Sequence, residues 1–189
     1  MDASSPMVVG IGGSNRSASL TEQLLRTALR EAEAIGAHTT MFGGAFLGDL
    51  PVFGADGGYS GGAAVELTRA VAAADGLIIA SPGYHGGMSG LVKNALDHLE
   101  ALRDHERPYL DGRAVGLIVN ASGWQAGGTA LVSLRSTIHA LRGWPTPFGA
   151  TVNSAVPVFS EDGVVLDRVA GALRLVARQV VEFASWRAS

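Results

Sequence analysis

Ser14, Arg16, Ser17 and Ser19 crowd into one stretch, Gly10 to Ser19, which also carries Gly10, Gly12 and Gly13. The apolar run Met7 to Val9 precedes it, and a helical pattern starts at Leu20. The order is strand, small-residue loop, helix. That layout turns backbone N–H groups and the positive end of a helix toward one point, which is how proteins hold a phosphate. The serines add hydroxyl donors and Arg16 adds a charged one. Hydrogen bonds to a charged group contribute roughly 1.5–3 kcal/mol each, so about four of them anchor a phosphate without a metal. The stretch reads as a seat for the phosphate of a mononucleotide.

Three phosphate loops compete for this stretch. A Walker loop needs G-x-x-x-x-G-K-[ST], and no lysine lies near. A dinucleotide fingerprint needs G-x-G-x-x-G or A. Gly10 and Gly12 fit it, but Asn15 stands in the third place, and the second strand, His38 to Phe42, ends without an acidic residue. The third pattern is G-S-x-R-x-x-S, met as Gly13, Ser14, Asn15, Arg16, Ser17, Ala18 and Ser19. A simpler reading makes Ser19 a helix cap in the capping box Ser19-Leu20-Thr21-Glu22. A capped helix start can also face an anion, and the cap does not explain Ser14, Arg16 and the glycines together.

Two further loops carry chemistry. Pro82, Gly83, Tyr84, His85, Gly86 and Gly87 lie within Ser81 to Ser89, where glycines let a flat ring approach the backbone and Tyr84 and His85 can lie against it. A tight strand-to-helix turn would use proline and glycine as well. The third loop, Ala121 to Gly128, holds Ser122, Gly123, Trp124, Gly127 and Gly128. Trp124 can equally be loop packing. The histidines His38, His85, His98, His105 and His139 show no metal-ligand spacing, and no metal site is expected.

Taken in order, these loops resemble the NAD(P)H-dependent FMN reductase family of flavodoxin-like flavoproteins. The first loop matches the family's phosphate loop. The second, with SGLVKNALDHL after it, is similar to the family's P-x-Y-x-x-x-x-S-G-x-L-K-N-A-L-D pattern, with Val92 in place of the usual leucine before Lys93. The third looks like its S-G-G-x-x-G-G loop, with Trp124 in place of the second glycine. The resemblance implies FMN held by Ser14, Arg16, Ser17, Ser19 and Leu20 at the phosphate. Pro82, Gly83, Tyr84, His85 and Gly86 would run along the ring and ribityl, and Ser122, Gly123, Trp124 and Gly127 would meet the pyrimidine edge. It implies hydride transfer from NADPH or NADH to FMN and on to a small acceptor, such as free flavin for a monooxygenase partner, or a quinone. No side chain need be catalytic. It also implies a homodimer or homotetramer, with the helix after the second loop in the interface. Two alternatives stay open: a flavodoxin-type electron carrier, which a net charge of −3 fits poorly, and an FMN enzyme acting on one metabolite.

The elements that must position these loops follow from periodicity. Helix one has Leu20, Leu24, Ala28, Leu29 and Ala32 on one face, with Glu22, Arg26, Arg30 and Glu33 pointing away and Gly36 ending it. His38 to Phe42 is a second strand near an edge. Gly43 to Gly62 is a long connection without regular structure, whose Phe46, Leu47, Leu50, Val52, Phe53 and Tyr59 form a rim of the site or pack on a neighbouring subunit. Helices are expected at Ala63 to Ala74, Gly90 to Leu102, Thr129 to Arg142 (with Gly143 as C-cap) and Val165 to Trp186. Strands are expected at Gly76 to Ala80, Ala114 to Val119 and Pro145 to Thr151, and a turn at Asp162-Gly163. The alternation predicts one α/β domain over residues 1–189, with a parallel sheet, helices on both faces and ligands at the strands' carboxyl ends. The resemblance implies a flavodoxin-like three-layer sandwich whose five-stranded parallel sheet runs in the order 2-1-3-4-5.

Composition narrows the function classes. The chain has 189 residues, 47% of them hydrophobic, and a mean hydropathy of +0.24. Only 16% are charged, which points to surface buried by self-association. A pI near 5.9 leaves no basic footprint for nucleic acid. The absence of cysteine excludes disulfides and thiolate metal sites. The start, MDASSP, does not read as a signal peptide, and no apolar run approaches the roughly 20 residues of a membrane span. A cytoplasmic protein is expected.

Overall fold

The computed structural model describes residues 5–16, 19–54 and 62–188. Five strands lie parallel: β1 (Met7–Gly12), β2 (His38–Phe42), β3 (Gly76–Tyr84), β5 (Ala114–Ala121) and β6 (Trp144–Asn153), in the order β2-β1-β3-β5-β6. This is the expected order. A sixth strand, the two-residue β4 (Gly87–Met88), pairs antiparallel with the end of β3. Helices α1 (Leu20–Ala34) and α6 (Asp167–Ala188) cover one face, and α3 (Gly62–Ala73), α4 (Gly90–Asp97) and α5 (Trp124–Ala140) cover the other.

The strands are apolar throughout because both faces are buried. Along β3, Leu77 and Ile79 pack toward α3 and α4, while Ile78 and Ala80 pack toward α1 and α6. Helix approach is close on the second face. A Cβ placed on Gly10 would stand 2.6 Å from the Leu29 side chain, and one on Gly116 would stand 2.5 Å from Val176. The inward face of α6 is buried at Val169, Leu173, Val176 and Val180, and Phe183 is half-buried and lies 6.2 Å from the ring of Trp144.

Several boundaries differ from expectation. The connection after β2 is not irregular throughout: Gly44–Asp49 forms a short helix, α2, whose Phe46 ring packs against Phe42, centroids 4.7 Å apart. Tyr59 lies outside the described residues. Strand β3 continues past Ala80 to Tyr84, and α5 starts at Trp124 rather than Thr129, because the glycines there sit in a helix packed closely on β6. Helix α4 tightens into a 3-10 turn over His98–Leu102. Gly143 is not the left-handed cap of α5: Arg142 takes that conformation at φ 62°, and the Gly143 N–H closes the motif on the Ile138 carbonyl at 2.9 Å. The Asp162-Gly163 turn is present, with Gly163 at φ 76° between Phe159 and Val165, which bridge each other.

One edge of the sheet is shielded. Strand β6 bulges between its pairings with Val115 and Leu117, and this part carries Pro145 and Pro147. Arg135 donates to the Thr146 carbonyl at 2.7 Å and the Pro147 carbonyl at 2.9 Å, and the Phe148 N–H donates to Gln179 Oε1 at 3.0 Å.

Candidate functional site

Strand β1 delivers the first loop beside β3. A Cβ on Gly12 would stand 2.2 Å from the Ala80 carbonyl oxygen, so only glycine lets the two strand ends meet. Beyond it the Ser14 hydroxyl donates to Ser19 Oγ at 3.0 Å, and Ser19 Oγ accepts the Glu22 N–H at 3.3 Å. Ser19 is thus both the N-cap of α1 and part of a hydroxyl chain across the loop. Arg16 is exposed and makes no ion pair among the described residues. Ser17 lies outside the described residues. Leu20 opens the helix, half-buried.

The capping box is only half formed, and Glu22 does not point away. Its Oε2 accepts the Gly44 N–H at 3.0 Å and its Oε1 pairs with Arg26 at 3.1 Å, instead of returning to the Ser19 N–H. Tight backbone packing supports this contact. A Cβ on Gly44 would stand 2.1 Å from the Ser14 carbonyl oxygen, and one on Gly13 would stand 2.6 Å from the Gly44 nitrogen. The Gly43–Gly44 pair at the end of β2 therefore buttresses the first loop. Its signal in the sequence is two adjacent glycines directly after a strand.

Beneath the loop, the buried Thr21 hydroxyl donates to Asn120 Oδ1 at 2.6 Å, tying the start of α1 to the end of β5. Thr21 is a polar residue on a buried helix face, and Asn120 is a polar residue ending an apolar strand. Both are visible as exceptions to their local pattern.

The second loop is a β-hairpin. Tyr84 pairs with Gly87, and the two residues between them, His85 at φ 50° and Gly86 at φ 85°, make a turn with both centres left-handed. Ser81, fully buried at the base, clamps both arms: it donates to the Pro82 carbonyl at 2.9 Å and accepts the Ser89 N–H at 2.9 Å. Ser81→Ala leaves the Ser89 N–H buried without a partner, so a loss of about 1–3 kcal/mol is expected, read as a lower Tm. An unchanged Tm would show that the hairpin holds without the clamp.

Tyr84 is 44% exposed and borders a cavity of about 660 Å³. Ser14 and Asn15 of the first loop line the same cavity, with Leu47, Val52, Phe53 and Leu91. The connection after β2 is thus a rim of the site. Asn94 fixes that rim, accepting the Phe53 N–H at 2.8 Å and donating to the Pro51 carbonyl at 3.0 Å, and His98 Nε2 donates to the same carbonyl at 2.9 Å. A neighbouring cavity of about 640 Å³ is lined by Ser14, Arg16, Ser19, Glu22 and Arg26. The first two loops therefore open onto one cleft.

The third loop is shorter than expected and only partly joins them. Pro82 pairs with Asn120 across β3 and β5, so the loops after these strands leave side by side. Ser122 and Gly123 form the whole turn. Gly123, at φ 127°, gives its N–H to Asn153 Oδ1 at 3.1 Å and to the Ala121 carbonyl at 3.0 Å. That N–H is already engaged, and the open donors are those of the first turn of α5, where no side chain makes a capping bond. Trp124 begins the helix and leans toward the end of β6, outside the shared cleft. Gly127 is buried, and a Cβ there would stand 2.4 Å from the Thr151 side chain, so this glycine serves helix-to-strand packing.

Comparison with known proteins places this arrangement. Residues 6–156 match the family model described as NADPH-dependent FMN reductase. An FMN-dependent NADPH-azoreductase of Staphylococcus aureus is 37% identical over 98 residues, covering 52% of this chain and 48% of the relative. The chain thus spans about half the length of the curated relatives it matches. Among solved structures, the flavoenzyme NAD(P)H:(acceptor) oxidoreductase FerB of Paracoccus denitrificans superposes with a TM-score of 0.77 at 20% identity, over 95% of this chain and 97% of that one. An apo NADH:FMN oxidoreductase gives a TM-score of 0.68 at 25% identity, over 95% and 89%. The fold is therefore shared with flavin oxidoreductases, and the family model spans all three loops. The chain belongs to the NADPH-dependent FMN reductase family.

Proposed function

We propose that this chain binds FMN in the cleft between its first two loops and passes hydride from NADPH or NADH through it to a small acceptor. The observation that carries this reading is the shared cleft: Ser14 and Asn15 of the first loop line one cavity with Tyr84 of the hairpin, and the same two residues line the neighbouring cavity with Arg16 and Ser19. The donor set suits the phosphate of FMN. Ser14 and Ser19 present hydroxyls, Arg16 makes no ion pair among the described residues although Asp49 lines the same cavity, and the start of α1 adds its N–H groups. The nearby Glu22 carboxylate is already engaged by Gly44 and Arg26. Ser17, within the same motif, joins this set by sequence.

Bound FMN supplies the hydride-accepting and electron-passing chemistry that no side chain here possesses. The protein contributes placement and electrostatics. Ser14, Arg16 and Ser19 orient the phosphate. Pro82 to Gly86 offer a narrow backbone edge, held flat by Ser81, and Tyr84 and His85 flank it. The open N–H groups at the start of α5, after Ser122 and Gly123, favour negative charge arriving at the carboxyl end of β5. No side chain is asked to move a proton. Free flavin for a monooxygenase partner, or a quinone, fits as acceptor. The low charged fraction favours a homodimer or homotetramer. The cytoplasm, where nicotinamide dinucleotides circulate, is the implied compartment. Among the described residues no helix is long and apolar enough to cross a membrane.

An anaerobic visible spectrum with FMN, before and after NADPH or NADH, tests the reading. A perturbed flavin band that bleaches is expected. A bound flavin that stays oxidised with both would favour an electron carrier instead. Arg16→Ala is expected to weaken FMN binding by roughly 1.5–3 kcal/mol, about ten- to a hundredfold. Unchanged affinity by flavin fluorescence titration would remove Arg16 from the phosphate seat.

A further inference from the structure

At the outer end of the third loop, a cavity of about 130 Å³ lies between the start of α5, the end of β6 and the start of α6. It is smaller than the roughly 300–1,000 Å³ of pockets that enclose whole ligands, so it suits one end of a longer molecule. Two of its groups are poised for a ligand. Trp124 is 61% exposed and stacks on no other ring among the described residues. Arg168 donates one N–H to the Pro157 carbonyl at 2.6 Å and pairs with no carboxylate among the described residues, although Asp167 precedes it. Most of its five donors are unused.

An exposed indole and a guanidinium with spare donors lining one cavity form a combination that takes a flat heterocycle and a phosphate. Resting on the reductase reading, the long molecule at hand is the nicotinamide dinucleotide. With its nicotinamide on the flavin, its adenylate end must lead outward from the cleft. The Ser122–Gly123 turn, which leaves the sheet beside the second loop, is fixed at Gly123 by Asn153, which itself lines the cavity. We propose that Trp124 and Arg168 hold the adenosine-phosphate end of the nicotinamide dinucleotide, adenine on the indole face and a phosphate on the guanidinium.

The test titrates the FMN-saturated protein with adenosine diphosphate and with adenosine 2′,5′-bisphosphate, which lack nicotinamide, by calorimetry. At least one binds, and Trp124→Gly and Arg168→Ala each weaken it about tenfold or more. Binding of neither probe, or equal affinity in both variants, overturns the inference. A second arm uses dihydronicotinamide mononucleotide, which lacks the adenylate. Arg168→Ala keeps the rate of flavin bleaching by the mononucleotide, while its KM for NADPH or NADH rises about tenfold at similar kcat. A slower rate with the mononucleotide would place Arg168 at the flavin and overturn the inference alone. If neither the mononucleotide nor NADPH nor NADH bleaches the flavin of the unaltered protein, the reductase reading fails and this inference falls with it.

Discussion

Gly44→Ala is expected to weaken FMN binding ten- to a hundredfold and to destabilise the fold by about 1–3 kcal/mol, the usual cost of forcing extra volume into a packed site. The new methyl group would meet the Ser14 carbonyl oxygen at 2.1 Å and the Ser14 nitrogen at 2.9 Å. Both are backbone atoms, so no rotamer change relieves the clash. The first loop must move away from α2, and the Gly44 N–H must leave Glu22. Gly48→Ala on the same helix is the control: nothing lies within 4 Å of its Cβ, and alanine suits a helix better than glycine. Thermal unfolding and flavin titration of the two variants separate the outcomes. Equal behaviour would mean that the loop is not buttressed by Gly44.

Arg113→Ala is expected to cost about 3–5 kcal/mol of stability through lost volume and stranded carbonyls. The side chain is fully buried and donates to the carbonyls of Ala74 at 2.9 Å, Ala72 at 2.6 Å, Tyr109 at 3.3 Å and Asp111 at 3.4 Å. The Ala72 and Ala74 carbonyls close the end of α3, where a cation is favoured. Burial, and after it the neighbouring Arg107, pushes the guanidinium down to about 10, still charged at neutral pH. The folded state holds this proton less tightly than the unfolded chain, so the stability linked to this group rises with pH above about 10. Arg113→Met keeps most of the volume but none of the donors. A Met variant as stable as the unaltered protein would show that the carbonyls find other partners. Chemical denaturation gives both values.

The central strands and the positions of the first two loops were legible in the sequence because they rest on strong local signals: apolar runs at Met7 to Val9 and Gly76 to Ala80, and glycine with hydroxyls directly after them. The strand order came with the family resemblance. The third loop misled because glycines are punctuation in a sequence but can be spacers in a structure. Gly127 lies inside α5 so that the helix can touch Thr151. Glu22 misled because helical periodicity assigns a face but not a partner, and its partner, Gly44, comes from a separate connection. Thr21, Ser81 and Asn94 act through bonds to residues 8 to 99 positions away, a range that no local pattern carries. The predicted site residues themselves were placed by motif, and the structure sets Ser14 in one cavity with Tyr84 and in the neighbouring one with Arg16 and Ser19, while Trp124 faces a third.

The bulged start of β6 bears on how the protein behaves when crowded. Pro145 and Pro147 have no N–H to offer, Phe148 has spent its own on Gln179, and Arg135 occupies the carbonyls between them. A stray extended peptide finds no ladder to join along that part of the edge, so strand-by-strand growth into insoluble fibrils is blocked there. Arg135, an ordinary surface cation by sequence, thereby caps two carbonyls on this stretch of the edge strand.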